Sequence, residues 1–248
     1  MELTILILSA FITSSISAVI GMGGGIILLG IMATIIPEGY MVIALHGVIQ
    51  LVSNTTRTYV FRKNINKKIV LEFFNGVLIG ASISIVLIIL FINFYKVESA
   101  NEIKIEFLKP IIGMFIIWYL FLKKNRKRQA LKSFVPVGAI SGLSSIFIGA
   151  TGPLIAPFFL NRNLHKENII ANKAASQMIT HLTKIPIFIY FFNVDYLNKI
   201  DILLPLTISV FLGTYFGRKI LTFIPEKRFK IIFKVSLLII ATRLVLGY

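Results

Sequence analysis

Cysteine is absent from the 248 residues, which removes disulfide frameworks, thiolate metal sites and cysteine nucleophiles. Acid is scarce as well, with ten Asp and Glu against 26 Lys and Arg. The ten are Glu2, Glu38, Glu72, Glu98, Glu102, Glu106, Glu167, Asp195, Asp201 and Glu226, all in expected loops or near expected helix ends. Proton relays and cation pathways generally place carboxylates at depth in a membrane, so cation transport lacks its usual ligands here. No metal-ligand cluster, phosphate-binding loop or Ser/His/Asp arrangement stands out, so neither ATP hydrolysis nor any cofactor is expected. The N-terminus has no basic n-region and no small-residue cleavage site, so it does not read as a signal peptide.

What is there is apolar sequence. Hydrophobic residues make up 56% of the chain, charged ones 15%, and the mean hydropathy is +0.87. Soluble domains run nearer a quarter charged. Stretches 69–95 and 203–224 meet or exceed the ~20 residues that cross a bilayer as helix, the second interrupted by Arg218 and Lys219. The net charge of +16 suggests nucleic acid at first sight. The basic residues, however, sit in short loops between apolar spans, which is the pattern of membrane orientation, so lipid is expected and nucleic acid is not.

Ten helical pieces are expected, at 3–20, 24–36, 41–61, 69–95, 107–122, 133–148, 152–160, 167–192, 200–223 and 229–247. Pieces 24–36 and 152–160 reach only ~20 Å and ~13 Å, too short to span. Each follows a helix-breaking cluster, Gly21-Met22-Gly23-Gly24-Gly25 and Gly149-Ala150-Thr151-Gly152-Pro153, read as the turn of a broken helical hairpin. The chain also repeats itself. Ser17 to Gly24 lies over Ser145 to Gly152 at an offset of 128, Gln50 to Arg57 over Gln177 to Lys184 at 127, and Gly80-Ala81-Ser82 matches Gly213-Thr214-Tyr215.

Charge sets the orientation. The stretches Arg62 to Lys68, Lys123 to Lys132, Arg162 to Lys173 and Arg218 to Lys230 hold 18 of the 26 basic residues, and the stretches between them are neutral or acidic. Placing the basic group in the cytoplasm makes helix 41–61 run inward and its counterpart 167–192 outward. The expected fold is therefore all-α and polytopic, with two inverted repeats, each a broken hairpin plus three transmembrane helices. Repeat 1–122 and repeat 133–248 are joined by a basic cytoplasmic linker, 123–132.

Two constellations carry chemistry. Glycines let backbone approach a ligand, and short helices starting at the two turns aim free N–H groups at the midplane, an anion-binding arrangement. Gly21, Gly23, Gly24, Gly25, Gly149, Thr151 and Gly152 are the expected donors; the competing reading is close helix packing. Along 41–61, His46, Gln50, Asn54 and Arg57 share one face, and along 167–192, Lys173, Gln177, His181 and Lys184 repeat that spacing. Gln50 and Gln177 fall near mid-depth, with Arg57 toward the cytoplasm and Lys184 toward the outside. A lined pathway is expected, against the alternative that Arg57 and Lys184 snorkel to the nearest interface. His46 and His181 fit either proton linkage or a hydrogen-bonded packing role.

The glycine turn, its weaker second copy and the duplicated polar helices resemble the TauE/SafE sulfite exporter family over essentially the whole chain. The family pattern is a Gly-x-Gly-Gly-Gly turn early in each half; the second half departs from it with Thr151 and Pro153, and Pro153 has no N–H to donate. The resemblance implies sulfite, organosulfonates such as sulfoacetate, or related anions as substrate, whereas the residues themselves imply only a small anion.

The expected function is export of such an anion by alternating access across the inner membrane, without enzymatic activity. The substrate-binding set is the seven hairpin residues with Gln50, Asn54, Arg57, Gln177, His181 and Lys184, and a homodimer is an allowed assembly. The rival readings are a membrane enzyme or flippase acting on anionic lipid head groups, and an anion channel.

Overall fold

The computed structural model describes residues 1–21, 23–102, 114, 133–160 and 164–246. The expected helix at 107–122, apart from Met114, and the linker 123–132 lie outside the described residues. Among the described residues all regular structure is helical: α1 (Glu2–Ile20), α2 (Gly24–Ile35), α3 (Gly39–Val60), α4 (Lys67–Tyr95), α5 (Val135–Ile148), α6 (Gly152–Leu160), α7 (Lys166–Phe192), α8 (Ile200–Leu221) and α9 (Glu226–Leu246), with short 3-10 turns between some of them.

Local chemistry explains the boundaries. The Asn66 side chain accepts from the N–H groups of Lys68 (3.0 Å) and Ile69 (3.3 Å), capping α4 at its start. Gly21 (φ 82°) and Gly149 (φ 84°) stop α1 and α5 in backbone conformations that side chains resist. Their N–H groups turn back to Ser17 O (2.9 Å) and Ser145 O (3.2 Å).

Packing follows small residues, as expected where lipid offers no hydrophobic drive between helices. α4 crosses α5 at Gly76, Gly80, Gly138 and Gly142, where a methyl group would overlap backbone of the facing helix. α1 crosses α8 with glycine on one side only, Gly213 and Gly217 lying on the backbone of Phe11 and Ser15. Ser15 and Ser209 add hydroxyl bonds to Gly213 O (2.9 Å) and Ile7 O (2.7 Å), and Ser84 donates to Leu143 O (3.2 Å) across the other crossing. α3 packs on α7 in the centre. Each crossing thus joins a helix of one half to a helix of the other.

Two ends can be told apart. Asn168 donates to Asn64 O (2.9 Å), Asn172 accepts from the Asn66 N–H (2.7 Å), and the Lys166 N–H donates to Glu226 (3.1 Å). Three of the four basic stretches therefore meet at one end. At the other end, Ser99 donates to Phe191 O (3.1 Å), and Ala100, Phe192 and Val194 share a cluster with Tyr40 and Tyr196. α3 runs toward the basic end and α7 away from it.

Among the described residues, three helical stretches are long and apolar enough to cross a membrane, Glu2–Ile20, Lys67–Tyr95 and Leu197–Leu221. Their outer faces are apolar and exposed, as at Leu78, Val86, Leu204 and Phe211. α3 and α7 are also long, but each carries a polar stripe that the structure turns inward. An apolar outside around a polar seam is the reverse of a soluble fold, and the protein is a polytopic membrane protein.

Candidate functional site

The two broken hairpins face each other across α3 and α7. Gly23 caps α2 with φ 93°, and Gly23 and Gly25 line a small cavity from one side. Ala150, Gly152 and Pro153 line it from the other. Gln50, His46 and Arg57 enter from α3, Lys173, Gln177 and His181 from α7, and Ser17 from the last turn of α1.

The glutamines meet the turns in equivalent ways. A methyl group on Gly25 would stand 3.2 Å from Gln50 Oε1, and one on Gly152 would stand 2.9 Å from Gln177 Nε2. Both pairs are offset by 127 residues, so past the turn Gly25, not Gly24, corresponds to Gly152. The second turn is one residue shorter than the first. Gly24 instead faces α1, where an added methyl would overlap Thr13 O and Ser17 Oγ, so the structure gives it the packing role.

Three buried cations surround these turns. Arg57, 2% exposed, donates from Nη2 to Asn54 Oδ1 (2.7 Å), from Nε to Ser53 O (3.3 Å) and from Nη1 to Ser17 O (3.4 Å). Asn54 is held in turn by its own bond to Gln50 O (2.8 Å), so it positions the guanidinium without lining the cavity. Lys173, 1% exposed, donates from Nζ to Gln177 Oε1 (3.0 Å) and, across to the first hairpin, to Gly21 O (2.9 Å). Lys184, also 1% exposed, donates to Gly149 O (3.3 Å), lies 5.5 Å from the Phe188 ring centre, and passes its stem over Gly47.

The ion pairs among the described residues are Lys68–Glu72, Lys166–Glu167 and Lys230–Glu226, and none touches these three. Arg57, Lys173 and Lys184 therefore have carbonyl, amide and ring partners, and no carboxylate partner among the described residues. Taking an ion out of water costs several kcal/mol even after relaxation, so such a seam favours a counter-anion. Neither Arg57 nor Lys184 reaches a surface, so snorkelling does not describe them.

The histidines sit between the cations. His46 donates from Nε2 to Gly25 O (2.7 Å), and its ring meets that of His181 edge to face, with centres 6.1 Å apart. The Nδ1 atoms of both rings are buried without a hydrogen-bond partner among the described residues.

Several expected roles shift. The N–H groups of Gly21 and Gly149 are spent on helix C-caps, and what these residues present is a carbonyl to a lysine, so neither is the backbone donor expected of it. Thr151 accepts from Ser141 Oγ (3.2 Å), and Ser141 pairs with Thr180 (3.1 Å), which puts its hydroxyl in a buried ladder outside the cavity. Lys173 stands outside the expected binding set, in a basic stretch as well as on the stripe, yet it lines the cavity. Its place in the stripe, matching His46, was the available signal. Ser17 was missed too, since its contribution to Arg57 is a main-chain carbonyl.

An apolar helical belt around a polar, cation-rich seam between broken helices defines the class as a polytopic membrane protein with a polar interior. The family model described as Sulfite exporter TauE/SafE matches residues 6–244, essentially the whole chain, and the chain belongs to that family. It is a family of transporters, not an enzyme class. Comparison with curated proteins and with solved structures gives no match.

Proposed function

We propose that this chain exports a small anion, such as sulfite or an organosulfonate, by alternating access between two inverted repeats. The carrying observation is the set of three buried cations with no carboxylate partner among the described residues, arranged around facing hairpin turns. The repeats are 1–122 and 133–248 with the basic linker 123–132 between them, and the reciprocal crossings α1 on α8 and α5 on α4 support that division. By charge the basic end faces the cytoplasm of the inner membrane.

Substrate oxygens take over the bonds that the seam now makes to itself. Arg57 and Lys173 offer N–H donors, Gln50 and Gln177 add amide donors, and Lys184 contributes charge from behind the second turn. The cavity is about 20 Å³, room for one water and not for a multi-atom oxyanion. Loading therefore requires the hairpins to part, and the lysine–carbonyl bonds at Gly21 and Gly149 are the contacts that give way. A negative interior drives an anion outward by ~2.3 kcal/mol per charge per 100 mV, so export needs no further coupling.

Counterflow into proteoliposomes, against a panel of sulfite, thiosulfate, sulfoacetate, taurine and phosphate, tests the reading. The expected result is exchange of one or more sulfur oxyanions that falls with Arg57→Gln and Gln177→Leu. No exchange of any anion by folded, correctly inserted protein overturns it.

A further inference from the structure

A second cavity, about 410 Å³, opens at the basic end and shares no lining residue with the seam. Arg62 and Lys63 border it after α3, Arg218 from α8, and Glu167 from α7. Glu167 is the only carboxylate in the lining among the described residues, and it already stands 3.7 Å from the Lys166 ammonium. The cavity is therefore strongly cationic.

Arg62 donates to Tyr59 O (3.0 Å) and lies 4.4 Å from the Tyr59 ring centre, which holds the guanidinium and leaves N–H edges for oxyanion oxygens. Arg218 lies 5.9 Å from the Phe61 ring centre. Val60, Phe61 and Leu221 form its apolar wall, and the cavity lies where the ends of α3, α7 and α8 meet at the basic end of the helices.

We propose that this cavity binds a phosphate-bearing anion, either the headgroup of an anionic phospholipid or a free phosphate. Basic pockets between membrane helices recognise such headgroups by charge and hydrogen bonding. The phosphate oxygens would meet Arg62, Lys63 and Arg218.

The test is lipid binding to the full-length protein in mild detergent, read by native mass spectrometry and thermal shift without transport substrate, so it is independent of the export reading. Phosphatidylglycerol, phosphatidylcholine, glycerol 3-phosphate and inorganic phosphate form the arms. Phosphatidylglycerol should be preferred over phosphatidylcholine by about tenfold, and the Arg62→Gln/Arg218→Gln double variant should lose that preference. Glu167→Gln should strengthen it, which keeps the test open if the double variant folds poorly. Protection by inorganic phosphate or glycerol 3-phosphate equal to that of phosphatidylglycerol supports the site with a free phosphate as its ligand. Equal binding of the two lipids with no protection by either soluble phosphate, or a preference untouched by all these changes, overturns the site.

Discussion

The first hairpin unit, α1 to α3, and the second, α5 to α7, share a backbone plan and differ in how they hold their cations. In the first, Arg57 is fastened by three bonds, to Asn54, Ser53 and the Ser17 carbonyl. In the second, Lys184 has one long bond to Gly149 O and an aromatic neighbour, and Lys173 leaves its own unit to reach Gly21 O. Where α3 places His46 at the head of its stripe, α7 places Lys173. One scaffold thus carries a fixed fork on one side and two flexible ammonium groups on the other. A planar, always-charged fork suits a permanent anion contact, and a compact ammonium on a four-carbon stem suits a contact that must be made and released.

The largest effect expected is at the first turn, and it separates packing from binding. Gly24→Val drives a side chain into the Thr13 carbonyl, an overpacking cost of about 1–3 kcal/mol or more, and should sharply reduce the folded, monodisperse fraction on size exclusion. Gly25→Ala meets only the Gln50 amide, so the protein should fold while transport falls about tenfold, the worth of one charge-assisted bond. Equal folding defects in both would erase the distinction between the two glycines.

Next comes the contrast between the lysines. Lys184→Met keeps the stem over Gly47 and Phe188 and removes a buried charge with a single 3.3 Å bond. Its melting temperature should be unchanged or higher while anion flux is lost. Lys173→Met breaks a bond between the units and strands the Gly21 carbonyl, so it should lose flux and also about 1–3 kcal/mol of stability. A melting temperature lowered equally in both variants would make Lys184 a structural residue.

A smaller effect should follow from Arg57→Lys, since one ammonium cannot serve Asn54, Ser53 and Ser17 from the guanidinium's positions. Substrate KM should rise about tenfold, a loss of about 1.4 kcal/mol, with little change in maximal rate. A fully wild-type KM would show that charge alone matters there.

The smallest concerns the outer crossings. Ser209→Ala removes a 2.7 Å bond to α1, and Ser84→Ala a 3.2 Å bond to α5. Each should cost about 0.6 kcal/mol, the usual worth of a hydroxyl bond between membrane helices, in reversible denaturation in mixed micelles. Ser209→Ala should be the more harmful, because α1 crosses α8 with glycine on one side only, while α4 and α5 have it on both. The opposite order would mean that glycine contacts do not compensate for hydroxyl bonds.

Much of this was legible beforehand because it is local. The turns at Gly21 and Gly149, the short helices after them and the stripes on α3 and α7 are patterns of spacing, and the observed boundaries lie within a few residues of those expected. The equivalence of Gly24 and Gly152 was misread because alignment letter by letter does not see a turn shortened by one residue. The Gln50–Gly25 and Gln177–Gly152 contacts reveal it, since side-chain reach across a turn fixes register where sequence identity does not.

By itself the sequence determined that the chain is a helical membrane protein with broken hairpins, repeated stripes and no carboxylate at mid-depth in the expected spans. Those follow from hydropathy, glycine placement and composition, which act along the chain. Only the tertiary structure decided that Lys173 lines the cavity itself, that Gly24 packs while Gly25 lines, and that the carbonyls of Gly21 and Gly149 accept from lysines. Those outcomes depend on which way a side chain or carbonyl points once helices from opposite halves are pressed together. Two neighbouring glycines are chemically identical in sequence and differ only in what stands in front of them.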